Sequence, residues 1–180
     1  ETWVNGQYMK TGEFPSETAA ELLHSAYARE YRRLFGDAQF DTAVCFEGYV
    51  RYWALVFASA PSSTTKVIYA HNNMEEETSK RFPSLKGVTS LYPAYDKVVS
   101  VSDSVHEANV EQFSGRATAT EFAVSPNLYS PEDVRAKGRE VVTDQDQQFL
   151  EAHPGHKYVC VGRLSVEKGQ DRLLDAFAKV

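Results

Sequence analysis

Apolar positions along the chain follow two rhythms. Residues 40–46, 66–70, 97–101 and 158–161 are short apolar runs rich in β-branched and aromatic side chains. Runs of that length predict buried strands. Residues 119–124 predict a weaker one. Between these runs the spacing changes to that of helices. Ala19, Leu22, Leu23, Ala26, Tyr27 and Leu34 share one face of a helix predicted over residues 17–35, with Ser16 as its cap and Gly36 as its stop. Residues 49–60 predict an apolar helix that ends before Pro61. Asn73 with Glu76, and Ser104 with Glu107, have the spacing of capping boxes, the second opening a helix to Phe113. Ser130 caps a further helix, with Pro131 at its first position and its end near Lys137. Leu173, Leu174, Phe177 and Val180 mark a last one. Pro83, Gly87 and Pro93 break residues 80–95 into pieces. Gly6, Gly12 and Pro15 mark loop at the start, and residues 141–152 are polar without a decided pattern.

Strands alternating with helices predict an α/β protein with parallel sheets and helices on both faces. Ligands of such sheets bind beyond the carboxyl ends of the strands. Glu47, His71, Ser102 and Arg163 all lie just past predicted strand ends. In a two-domain arrangement the first three would face the fourth across a cleft.

Composition narrows the function. The chain has 180 residues, 42% hydrophobic and 24% charged, which is a globular composition. Its net charge of −6 argues against a nucleic acid or an anionic membrane surface as the main partner. No apolar run approaches the ~20 residues of a membrane-spanning helix. Cys45 and Cys160 each fall in a predicted strand, so both read as buried thiols of a reducing compartment rather than a disulfide or metal pair. The last helical pattern stops at Val180 without a cap, which suggests a piece of a longer protein.

The region around residue 163 concentrates the chemistry. A predicted strand, then Gly162, then Arg163 and Lys168, precede the start of a helix. A helix N-terminus favours anions, and Arg grips phosphate bidentately while Lys acts as a point charge. The arrangement suits a diphosphate. It equally describes an ordinary strand-to-helix turn with two solvated cations. His71 is either a strand-end packing residue or a ligand-binding one. Glu47 reads as a solvated loop charge or a lone catalytic carboxylate, and glycoside hydrolysis generally uses a pair. Ser102 reads as a hydroxyl bonding nearby backbone, with substrate contact as the alternative. Asn127, after Pro126, is a turn residue or a contact between domains. The remaining histidines show no metal-ligand spacing.

The stretch GRLSVEKGQDRLLDAFA, residues 162–178, resembles the signature that opens the C-terminal domain of family 4 glycosyltransferases, which have the two-domain GT-B fold. Gly162, Arg163, Leu164, Glu167, Lys168, Gly169, Leu174, Ala176 and Phe177 are its anchors here. FDTAVCFEG, KVIYAHNN, YDKVVSVS and SPNLYSPEDV resemble the second half of the N-terminal domain of the same group. The resemblance implies two Rossmann-like domains, both incomplete: residues 1–127 on the acceptor side and residues 128–180 opening the nucleotide-sugar side. It implies transfer of a sugar with retention from a nucleotide-sugar to a glycan, polymer or lipid-linked acceptor. Gly162, Arg163 and Lys168 would hold the donor diphosphate, and His71 would approach the sugar. Glu47, Asn72, Ser102 and Asn127 would be substrate contacts. No metal and no other cofactor is expected, because two side-chain cations take the metal's place. The segments HNNMEEETSKRFPSLK and YDKVVSVSDSVHEANVEQF are similar to transferases of bacterial wall polymers and surface glycans. That implies a cytoplasmic location, at the inner face of the membrane if parts beyond this chain attach it there. The chain alone is expected to be inactive. A sugar-nucleotide epimerase or phosphorylase of the same fold, and a non-catalytic binding domain, remain the alternatives.

Overall fold

The computed structural model describes residues 2–14, 16–140 and 143–179. Expectations that rest on Glu1, Pro15, Val141, Val142 and Val180 lie outside them. The chain forms two compact units, Glu1–Leu128 and Tyr129–Val180.

The first unit is an α/β layer with one parallel sheet. Its strands are β1 (Thr42–Cys45), β2 (Thr65–Ala70), β3 (Lys97–Ser100) and β4 (Glu121–Val124), in the order β1-β2-β3-β4. The register sets Cys45 beside Ile68, Ile68 beside Val98 and Val98 beside Phe122, so one face carries a continuous apolar row. Helices α1 (Thr2–Thr11), α2 (Glu17–Phe35) and α3 (Arg51–Ala58) contribute to the same core, notably through Tyr8, Leu23, Leu55 and Val56. The segment between β2 and β3 is broken. It runs through α4 (Met74–Glu76), a π-helical turn (Glu77–Arg81), a 3₁₀ turn at Pro83, α5 (Lys86–Thr89) and a further 3₁₀ turn at Tyr92. Helix α6 (Asp103–Phe113) joins β3 to β4.

Strand order corrects one expectation. Each strand lies beside the previous one and the order never reverses. Parallel crossovers are right-handed, so connections that keep advancing in one direction place their helices on one face. Helices on both faces need a reversal of order, and the first unit has none. On the far face Val44 is 44% exposed and Phe46, just past β1, is 56% exposed.

Local caps explain the helix starts. Ser16 accepts from Ala19 N at 3.1 Å, and Gly36, at φ +61°, ends α2 with its N–H on Arg32 O. The cap of α6 is Ser102, which accepts from Val105 N at 3.3 Å, so the expected cap at Ser104 is two residues late. The expected loop over the first residues is instead α1. Its hold is tertiary: the Tyr8 hydroxyl donates to Gly87 O, and Arg51 Nη1 donates to Tyr8 O at 2.9 Å. Backbones meet closely beside it, since a Cβ on Gly12 would lie 2.5 Å from Gly87 N.

The second unit is helical. It contains α7 (Pro131–Lys137), α8 (Asp144–Ala152) and α9 (Gln170–Phe177). Thr143 caps α8, accepting from Asp146 N at 3.2 Å, which resolves the polar segment as helix. The strand predicted over residues 158–161 is absent. Val159 is 87% and Val161 91% exposed, and none of these four residues makes a backbone hydrogen bond among the described residues. A strand saturates its N–H and C=O groups on a neighbour. No strand forms in this unit among its described residues. Cys160, expected to be buried, is therefore exposed, whereas Cys45 is buried in the sheet and burial pushes its thiol pKa up.

Two outcomes follow from this packing. An aromatic disulfide reagent should label Cys160 within seconds to minutes and leave Cys45 protected until unfolding. Slow labelling of both thiols would contradict the exposed segment. The Tyr92 hydroxyl is fully buried with no hydrogen-bond partner among the described residues. An unsatisfied buried hydroxyl costs about 1–3 kcal/mol. Tyr92→Phe should therefore raise unfolding free energy, read as a higher urea midpoint at unchanged slope. A lower midpoint would show that the hydroxyl is satisfied.

Candidate functional site

All four strands are parallel, so their carboxyl ends share one edge. The chain leaves β1 through Phe46, Glu47 and Gly48. Gly48 sits at φ +65°, and a Cβ there would lie 1.9 Å from Tyr69 O. Only glycine permits that turn against β2. The turn presents the Phe46 carbonyl to His71, the first residue after β2. His71 Nε2 lies 2.6 Å from Phe46 O, and because a carbonyl only accepts, Nε2 carries the proton. Nδ1 has no partner among the described residues. The ring is held by aromatic neighbours, with Phe46 edge-on at 5.0 Å and Tyr69 stacked at 6.1 Å between centroids.

Asn72 joins this edge directly. Its Nδ2 donates to the Tyr49 hydroxyl at 2.6 Å. Burial pushes the Tyr49 phenol above its ordinary pKa, with the Asn72 hydrogen bond opposing. Asn73 then starts α4, accepting from Glu75 N at 3.1 Å and Glu76 N at 3.2 Å.

Sequence reasoning missed the residue that fixes this loop. Asn109, on α6, has no exposed surface. Its Oδ1 accepts from Met74 N at 3.1 Å, and its Nδ2 reaches Asn72 O at 3.3 Å and Ser100 Oγ at 3.4 Å. One side chain thus ties the end of β3 to the loop after β2. The signal was a polar residue within the helical pattern of residues 103–113, which alone does not say that it faces inward. Glu77 was missed as well. It reads as one of three acids at a helix start, yet it is only 6% exposed and lies 3.5 Å from Arg81 Nη1 within the π-helical turn.

Other candidates are placed differently. Glu47 and Asn127 are exposed, and neither side chain makes a hydrogen bond or ion pair among the described residues. Ser102 is engaged as the cap of α6, with Ser104 Oγ 3.2 Å from its hydroxyl.

In the second unit the structure gathers Gly162, Arg163 and Lys168 in one small loop. Val166–Lys168 is a 3₁₀ turn, and Gly169 at φ +63° leads into α9. Gln170 Nε2 donates to Arg163 O at 2.8 Å, closing the loop on itself. A Cβ on Gly162 would lie 3.4 Å from Lys168 Cγ, an ordinary van der Waals contact, so the lysine stem lies beside this glycine. The Arg163 guanidinium is 85% exposed and 3.8 Å from Glu167. The strand that was to precede this loop is the one that does not form. Gln170, absent from the sequence reasoning, is the residue that shapes the loop.

Among the described residues no three His, Cys, Asp or Glu side chains converge to hold a metal ion. No helix among them is long and apolar enough to cross a membrane. No protein-family model matches the chain, and no curated protein matches it.

The Asn109 network yields a test. Asn109→Ala leaves the Met74 N–H and the Asn72 carbonyl without their partner inside the protein. At about 1–3 kcal/mol for each unsatisfied group, unfolding free energy should fall by roughly 2–6 kcal/mol. The backbone amides of residues 71–74 should shift most in a nitrogen–proton correlation spectrum. A loss below about 1 kcal/mol with those amides unmoved would remove Asn109 from this role.

Proposed function

We propose that this chain is part of a glycosyltransferase that moves a sugar from a nucleotide-sugar to an acceptor, with retention, on a GT-B framework of two Rossmann-like domains. The loop of residues 162–170 carries the reading. Two cations and Gly162 gather at the start of α9, where amide N–H groups and the helix dipole favour an anion. The residues of that loop are also those that resemble the family 4 signature. The parallel sheet of the first unit supports the reading through the position of His71, whose Nδ1 is free to accept a hydrogen bond.

The chemistry assigns each group a task. Arg163 and Lys168 offset the negative charge that grows on the diphosphate as it leaves. Donors already in place where charge develops lower the barrier without reorganising at the moment of reaction. His71 accepts a hydrogen bond at Nδ1 from a hydroxyl of the sugar or of the incoming acceptor, its orientation held by the Phe46 carbonyl. Asn72 and Tyr49 form the adjoining polar surface. The side-chain cations do the work that other transferases give to a metal. In this reading the reaction is cytoplasmic, and the acceptor is a bacterial wall polymer or surface glycan.

The test is substitution in the whole protein. A charge-assisted hydrogen bond contributes roughly 1.5–3 kcal/mol. Arg163→Ala and Lys168→Ala should each lower turnover by at least about tenfold, since 1.36 kcal/mol is one decade. The double variant should fall short of the product, because both cations act on one leaving group. Thermal unfolding should hardly move, since both side chains are exposed. Folded single variants with near-normal turnover and donor affinity would overturn the reading.

A further inference from the structure

A groove of about 860 Å³ opens between the helices of the first unit, within the usual size range of small-molecule sites. It shares no residue with the carboxyl edge at His71. The turn after α1 lines one part with Glu13 and Phe14, α4 and the π-helical turn add Glu75 and Thr78, and α5 and α6 add Lys86 and Arg116. A smaller cavity of about 190 Å³ adjoins it, sharing Thr89, Ser90, Phe113 and Arg116. Buried Tyr92, Phe113 and Ala117 make much of its wall apolar. A cavity of about 150 Å³ with apolar walls is enough for benzene, so an aromatic ring fits.

The charges are arranged unevenly around these spaces. Lys86 and Arg116 have no acidic partner within ion-pair distance among the described residues. Arg116 instead rests over the Phe113 ring at 5.6 Å from its centroid, at the junction of the two cavities. Lys86, Glu13 and Glu75 line only the larger groove, whereas Arg116 lines both. The rim hydroxyls have spent their protons: Thr89 Oγ1 donates to Lys86 O at 3.3 Å and Ser90 Oγ to Gly87 O at 3.0 Å. They therefore present lone pairs, which suit a donor on the ligand.

We propose that these joined cavities bind a small aromatic phosphate, its ring in the smaller cavity and its phosphate on Arg116 and Lys86. A ring N–H or O–H is satisfied by Thr89 or Ser90. The site is independent of the transferase reading, because it uses neither His71 nor the loop of residues 162–170.

The probe is 4-aminophenyl phosphate, titrated into the whole chain and followed by amide chemical shifts. Saturable shifts should centre on residues 86–90 and 113–117. Aniline and inorganic phosphate should each bind at least tenfold more weakly than the joined molecule. Lys86→Gln and Arg116→Gln change exposed side chains, so the fold should persist. Each should weaken the probe about tenfold or more while leaving aniline unchanged. Ala117→Met should fill the smaller cavity and abolish the advantage of the probe over inorganic phosphate. The proposal fails if the probe does not saturate, if inorganic phosphate alone binds as tightly, if neither cation matters, or if the shifts centre on residues 71–72 or 162–170.

Discussion

A buried amide must find partners for two N–H donors and a carbonyl, and Asn109 finds them on separate pieces of chain. It accepts from Met74 N and reaches Asn72 O and Ser100 Oγ. In the interior each such bond is stronger than in water, and each group left alone is correspondingly costly. The loop that carries His71 and Asn72 therefore has little freedom to drift from the end of β3. Gly48 limits the same loop from the other side, because its missing Cβ lets the first turn lie against Tyr69 O. Between these two constraints the His71 ring is held by one hydrogen bond to Phe46 O and by aromatic contacts. The edge is positioned by backbone geometry and one polar side chain, with the apolar core of α3 and the sheet beneath it.

The sheet itself shows what parallel pairing demands. Four strands advancing in one direction bury one face under their crossovers. The apolar row from Cys45 to Phe122 lies there, with Leu55 and Val56 in the same core. Val44 and Phe46 lie on the other side and remain partly open. The second unit lacks even one pair of strands among its described residues. Its most strand-like sequence, residues 158–161, stays exposed, since an extended segment is stable only beside another.

The cation loop is built differently from the edge at His71. It uses local contacts: Gln170 to Arg163 O, Lys168 beside Gly162, and the 3₁₀ turn that ends in Gly169. All lie within nine residues of one another. Such a loop keeps its shape without a sheet behind it, which is why the gathering of Gly162, Arg163 and Lys168 survives the loss of the strand before them. Its cations are exposed and screened by water, so their pull on a phosphate depends on how far a bound ligand excludes solvent.

Local order was legible in the sequence. The strands at β1 to β3, the helices α2 and α3, and the caps at Ser16, Asn73 and Ser130 follow from spacing and from side chains bonding backbone two or three residues away. So did the position of His71 just past β2. Long-range partners decided the rest. Helix α1 exists where loop was expected because Tyr8 meets Gly87, seventy-nine residues away. Asn109 and Glu77 look like surface residues until the neighbouring elements enclose them. Residues 158–161 have the composition of a strand, yet a strand is a property of a pair. Periodicity reports which side chains share a face; whether that face meets a partner depends on segments distant in sequence, and only the folded chain brings them together.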